Sequence, residues 1–377
     1  MKIVLAIDSF KGSLTSEEAG KAAAERIKDI YPNCTTEVIP ISDGGEGMLN
    51  IMLNTQKVRL QYIKVHNPCM DPITTFYGIS LDGKTAFIES ANASGLPLIK
   101  KSQQNPMKTT TYGTGELIRD ALEKGCTQFM IGIGGSATND AGTGLLQALG
   151  FRFLDSQGKE LGLGGRILQH ITSIDSTHIH PLLKNAHFTI ACDVQNPFYG
   201  PNGAAQIYAK QKGADDAMII ELDKGMYAFA KVIKGKTGKD IHSVPGSGAA
   251  GGMGGGLIAF LNAQLKEGAE LLLDAVHFEE KITEANLIIT GEGRIDKQSL
   301  MGKIPGKILQ MGQNKNIPVI AIAGCISDYA DLKNAGFAAI YTTKPASMPL
   351  EEAMRPSTAI HNIQKIIPMI LSDFSFD

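Results

Sequence analysis

Short β-branched runs that break into glycine- or aspartate-bearing turns, and then into segments of helical period, recur along the chain and restrict its fold more than any other feature. Strands that each feed a helix build a largely parallel sheet, because a parallel neighbour is reached only by a crossover long enough to hold a helix. The pattern predicts strands at 3–7, 37–41, 129–133, 188–191, 287–290, 319–323 and 338–341. It predicts helices at 16–30, 115–124, 142–149, 222–233 and 299–311. In the first helix Ser16 is the expected N-cap, Glu17 and Glu18 suit the positive end of the dipole, and Ala19, Ala22, Ala23 and Ile27 form an apolar stripe.

One stretch departs from this rhythm. Residues 74–79 and 85–89 flank Asp82-Gly83, a dipeptide suited to a tight turn, so an antiparallel hairpin is expected there. The chain has 377 residues, more than one core usually holds. With similar strand-turn-helix units at both ends, the expected architecture is α/β in two domains. Residues 1–66 and 283–377 form a Rossmann- or flavodoxin-like domain with a largely parallel sheet, and 67–282 form an inserted second α/β domain.

Composition excludes other classes. Apolar residues make up 43% and charged residues 20%, an ordinary globular mixture. The 36 basic and 38 acidic side chains nearly cancel, and no stripe of Lys and Arg is available for a phosphate backbone, so no nucleic-acid partner is expected. The apolar run Ile3 to Ile7 is too short for a signal-peptide core or a membrane span, and the expected location is the cytoplasm. Cys34, Cys69, Cys126, Cys192 and Cys325 contain no C-x-x-C pair and are expected to be reduced, and no zinc site is expected.

Ligands of open α/β sheets lie beyond the carboxyl ends of strands, so the turns after the apolar runs should carry the chemistry. Asp43, Glu292 and Asp296 are oxygen donors of the kind hard Mg²⁺ prefers. Lys11 and Arg294 are candidate clamps for a carboxylate or phosphate, and either Asp193 or Asp8 is the candidate base for an acceptor hydroxyl. Gly134, Gly135, Ser136, Thr138 and Asn139 are candidate phosphate ligands ahead of the next helix. This mixture suits phosphoryl transfer, where alignment and charge neutralisation do most of the catalytic work.

Each residue also has a plainer reading. The aspartates are good turn and N-cap residues, Glu292, Arg294 and Asp296 could form a solvated local ion pair, Lys11 could be a surface lysine, and Cys192 is expected to be core filler. The glycines of 246–256 suit close helix packing as well as ligand contact. Gly246 to Gly251 match G-x-G-x-x-G, which keeps a nicotinamide-dependent dehydrogenase of a small hydroxy acid as an alternative, although 240–245 make a poor buried strand. A non-catalytic sugar-acid binding protein is the other alternative. The phosphate-cradling G-x-x-x-x-G-K-[ST] pattern is absent.

Taken in order, several motifs resemble the bacterial glycerate kinase family: D-S-F-K-G-S-L at 8–14, I-S-D-G-G-E-G at 41–47, Y-G-T-G-E-L-I at 112–118, I-G-I-G-G-S-A-T-N-D at 131–140, A-C-D-V-Q-N-P at 191–197, G-P-N-G-A at 200–204 and T-G-E-G-R-I-D at 290–296. Met48 stands where the family pattern has a small polar residue. The resemblance spans nearly the whole chain. It implies transfer of the terminal phosphoryl group of ATP to D-glycerate with Mg²⁺, giving 2-phosphoglycerate in preference to the 3-isomer, in a two-domain α/β protein with its active site in the inter-domain cleft.

Overall fold

Lys-Ile-Val-Leu-Ala-Ile is apolar at every position after its first, the composition of a strand buried on both faces of a parallel sheet. In the computed structural model, which describes residues 1–10, 12–41, 48–54 and 58–374, this run is strand β1 (Lys2–Ile7). In chain order it is followed by β2 (Thr35–Val38), β3 (Val58–His66), β4 (Pro72–Ser80), β5 (Thr85–Glu89), β6 (Gln128–Gly132), β7 (Arg152–Leu154), β8 (Ser173–Asp175), β9 (His187–Ala191), β10 (Gln264–Lys266), β11 (Leu287–Ile295), β12 (Val319–Ile326) and β13 (Ala339–Thr342). Contacts divide the chain into two units, residues 1–44 with 269–377, and residues 45–268.

The first unit holds a parallel sheet in the order β13-β12-β11-β1-β2. From β1 the chain first adds β2 on one side and then returns to add β11, β12 and β13 on the other. That reversal is the switch point of a flavodoxin-like sheet, and it lies between β1 and β11. The central strands are buried along their apolar runs, while the edge strands β2 and β13 are largely half-exposed.

The helix Ser16–Ile30 begins one residue away from the expected cap. Thr15 caps it: its hydroxyl accepts from the Glu18 amide at 3.2 Å, and the Glu18 carboxylate accepts from the Thr15 amide at 2.8 Å. Ser16 instead donates its hydroxyl to the Ile7 carbonyl at 2.5 Å and accepts from the Ile41 amide at 2.8 Å, which fixes the carboxyl end of β1. The apolar stripe of this helix, Ala19, Ala23 and Ile27, shares a core with Ile3, Leu5, Ile7, Ile363 and Ile367. Each buried isoleucine there contributes roughly 1.5–3 kcal/mol of transfer free energy.

The second unit holds a sheet in the order β10-β9-β6-β5-β4-β3. β10, β9, β6 and β5 run parallel, and β4 and β3 extend the β5 edge in antiparallel sense. The hairpin expected around Asp82-Gly83 is β4–β5. β3 pairs with β4 from Val58↔Ser80 to His66↔Pro72, so it belongs to this unit, and the boundary expected near 66 falls at 44 instead. At the other end, Lys2 Nζ donates to the Lys281 carbonyl at 2.7 Å and Lys307 pairs with Glu270 at 3.8 Å. These contacts hold 269–282 to the first unit and move the boundary expected near 283 to 268. Among the described residues, no helix is long and apolar enough to cross a membrane.

Candidate active site

In the first unit, sequence reasoning ends a strand at Thr290 and begins a turn, but β11 runs on to Ile295. Its extra residues pair with β12, Glu292 with Ala323 and Arg294 with Cys325. Side chains alternate along a strand, so residues 292, 294 and 296 share one side while Ile295 is buried on the other. This is how three charged residues in five positions come to line one cavity, of about 360 Å³, together with Ser9, Phe10, Ser13, Lys303 and Lys344. The cavity lies beyond the carboxyl ends of β1 and β11, at the switch point.

The groups around it are held by local bonds. Glu292 accepts from the Ser299 hydroxyl at 2.6 Å. Asp296 caps the short helix Lys297–Leu300, accepting from the Gln298 amide at 2.9 Å while its own amide donates to Ser299 Oγ at 3.2 Å. Its plainer reading as a cap is therefore real, and it lines the cavity as well. Arg294 is 67% exposed and lies 3.6 Å from Asp296 Oδ2, a pair too open to consume the guanidinium. Asp8 does not itself line the cavity: it is buried just past the end of β1, its amide donates to the Gly291 carbonyl at 2.7 Å, and its carboxylate accepts from the Ser9 amide at 2.5 Å. The Ser13 hydroxyl is buried with no hydrogen-bond partner among the described residues. Lys11 and Asp43 lie outside the described residues.

In the second unit, a cavity of about 480 Å³ opens beyond the carboxyl ends of β6 and β9. Gly134, Gly135 and Ser136 line it after β6, and Asp193 lines it after β9. Gly135 takes a left-handed φ of 67° and its carbonyl accepts from the Leu96 amide at 2.9 Å, so the turn is pinned with Gly134 and Gly135 facing solvent. Asp193 accepts from the Gly268 amide at 2.7 Å, which orients the carboxylate. Cys192 sits half-buried beside it, donates to the Val194 carbonyl at 3.2 Å, and has its thiol pushed up by burial, the behaviour of filler and not of a nucleophile.

The other two residues of the expected phosphate loop are elsewhere. Thr138 and Asn139 are fully buried and do not line the cavity; Asn139 Nδ2 contacts Met226 Sδ at 3.3 Å. They lie beneath the turn because the glycines of the helix Ala249–Leu261 let it press on their backbone. A Cβ at Gly251, where φ is 70°, would stand 2.1 Å from the Thr138 carbonyl oxygen. The plainer reading of this glycine-rich stretch, close packing, accounts for it. No strand leads directly into Gly246, since residues 238–245 hold none, so the dinucleotide fingerprint lacks its structural context.

Two further residues of this unit matter to which sequence reasoning assigns no role: Asp140, which only closes the 131–140 motif, and Lys212. Asp140 is fully buried, and its carboxylate accepts from Thr110 Oγ1, from the Thr111 amide and hydroxyl, and from the amides of Gly142 and Gly144. Burial pushes its carboxyl up, and the hydrogen bonds from Thr111, Gly142 and Gly144 oppose that rise. Lys212 enters the cavity wall almost fully buried, donating to Ser136 Oγ and to the Thr138 carbonyl, each at 2.8 Å. The run Lys210-Gln211-Lys212 reads as surface, and nothing in its spacing sets the second lysine apart.

The sequence matches the glycerate kinase family over residues 3–374. It is 44% identical over 356 residues to a glycerate 2-kinase of Escherichia coli K12, covering 94% of this chain and 93% of that one. The chain belongs to the glycerate kinase family. It is 43% identical to a glycerate kinase of Halalkalibacterium halodurans, over 95% of this chain and 94% of the relative. A crystal structure from Salmonella typhimurium LT2, assigned as a glycerate kinase 2, superposes with a TM-score of 0.87 at 40% identity, covering 99% of this chain and 98% of that one. Membership makes the chain an enzyme, a phosphotransferase with ATP as donor and a small molecule as acceptor.

Proposed function

We propose that the chain transfers the terminal phosphoryl group of ATP to the 2-hydroxyl of D-glycerate with Mg²⁺ in the cytoplasm, and that Glu292, Arg294, Asp296 and Asp8 in one unit and Gly134, Gly135, Ser136 and Asp193 in the other carry the reaction. The observation that carries this reading is the run 292–296. It aims two carboxylates and a guanidinium from one strand side into a cavity at the switch point of a parallel sheet.

The donor set fits Mg²⁺. Glu292 and Asp296 are hard oxygen donors, and a Mg²⁺ ion on a triphosphate needs only one or two protein carboxylates because phosphate and water supply the rest. When bound, Mg²⁺ neutralises charge on the phosphate oxygens during transfer. Arg294, exposed and loosely paired, is suited to bear on the same oxygens.

The acceptor side follows from Asp193. Its carboxylate stands at a strand end and lines the cavity, oriented by the Gly268 amide, in the manner of a base that takes the proton of an attacking hydroxyl. The Gly134–Ser136 turn supplies amides and a hydroxyl to the anionic oxygens of a bound substrate. A coupled ADP-release assay with D-glycerate and Mg-ATP tests the reading, which predicts glycerate-dependent release. Release that is no faster with glycerate than without it would overturn it.

A further inference from the structure

Lys212 is 3% exposed. An ammonium removed from water this far normally pairs with a carboxylate, since leaving it uncompensated costs several kcal/mol. Lys212 has two neutral oxygen partners instead, Ser136 Oγ and the Thr138 carbonyl, each at 2.8 Å. Its charge is felt by Asp140, but that carboxylate is already occupied by Thr110, Thr111, Gly142 and Gly144 and makes no ion pair with it. An ammonium carries three N–H donors, and these two oxygens take two of them. The residue also lines the cavity that Gly134, Ser136 and Asp193 border.

A buried cation with two neutral acceptors, at the wall of an open cavity, is a site built to be completed by an anion. We propose that Lys212 is the anion anchor of this cavity, taking an oxygen of a substrate carboxylate or phosphate as its third acceptor. The inference rests on the kinase reading for its choice of ligands: the glycerate carboxylate and the phosphates of ATP share this chemistry.

The arrangement has a measurable consequence. Burial holds the Lys212 ammonium down to about 7. A bound anion raises it again. Below pH 7 the group is already charged and binding involves no proton. Above pH 7 binding must take a proton up, so Kd rises roughly tenfold per pH unit until the raised value is reached. The other titratable groups around the ammonium are Asp140, Cys192, Asp193 and Tyr208. Burial pushes the Cys192 thiol and the Tyr208 hydroxyl up and out of this window.

Isothermal titration of the full chain at pH 8, in two buffers of different ionisation enthalpy, tests the proposal with D-glycerate alone and with Mg²⁺ and a non-hydrolysable ATP analogue alone. The anchored ligand should take up a large fraction of a proton, and the ligand that does so identifies the anchored group as carboxylate or phosphate. Lys212→Met should abolish that uptake and raise the KM of the same substrate about 30- to 100-fold, the loss of a charge-assisted buried hydrogen bond, while changing the other KM no more than about threefold. Because the wild-type uptake needs no variant, the test survives if Lys212→Met folds poorly. Wild-type binding with no proton uptake from either ligand would overturn the anchor while leaving the kinase reading intact. Uptake without glycerate-dependent turnover would support the anchor and remove the kinase reading.

Discussion

Replacing Asp140 by Ala removes a buried carboxylate that gathers five donors from the segments 110–111 and 142–144 behind the second unit's cavity. Its carboxylate accepts from the Thr111 amide at 2.8 Å, Thr111 Oγ1 at 2.9 Å, Thr110 Oγ1 at 3.2 Å and the amides of Gly142 and Gly144 at 3.2 and 3.3 Å. The two hydroxyls can rotate toward other acceptors, but the three amides cannot. At about 1–1.5 kcal/mol for each buried amide left unmet, the loss is about 4 kcal/mol. For a domain of this size 1 kcal/mol lowers Tm by about 2–4 °C, so the transition of this unit in a calorimetric scan should fall by roughly 8–16 °C. Asp140→Asn keeps an acceptor for the Thr111 amide and should fall about half as far. A Tm for Asp140→Ala within about 3 °C of wild type would refute the view that this carboxylate holds the loop.

Three further outcomes follow from the same geometry. Asp193→Asn retains an oxygen to accept the Gly268 amide, so the fold should hold while kcat falls about 10²- to 10⁴-fold, the usual worth of a general base; wild-type kcat would remove Asp193 from that role. Glu292→Gln still accepts the Ser299 hydroxyl, and should lower kcat at least about 100-fold and raise the Mg²⁺ concentration needed for half-maximal rate, which unchanged Mg²⁺ dependence would contradict. Gly251→Ala meets the Thr138 carbonyl from a left-handed position, and steric overlap plus backbone strain should cost roughly 2–4 kcal/mol in thermal or urea unfolding; a neutral result would mean the helix Ala249–Leu261 can shift away.

The strand-turn-helix rhythm was legible because buried parallel strands carry it in full. Lys2–Ile7 and Ser16–Ile30 appear where the apolar runs and the helical stripe put them. The sequence misled where glycine was taken as a sign of a turn. Gly291 and Gly293 continue β11, since a Cβ at Gly291 would stand 2.2 Å from the Ile322 carbonyl oxygen of the next strand. Glu292, Arg294 and Asp296 therefore sort by strand alternation and not by loop geometry. Polar residues near glycines misled in the same way. Thr138 and Asn139 look like ligand donors, yet they are buried under the turn by a helix that only tertiary packing reveals. Lys212 could not be found at all from its neighbours in sequence, because what marks it is burial beside Ser136 across 76 positions.

The reaction proposed for this chain moves a phosphoryl group from ATP onto the 2-oxygen of glycerate. A phosphorus spectrum of the products from D-glycerate and Mg-ATP reads out that transfer. The expected products are ADP and a single phosphomonoester whose phosphorus couples to the one proton on carbon 2. A spectrum with no new phosphomonoester, or with coupling to the two protons of carbon 3, would contradict it.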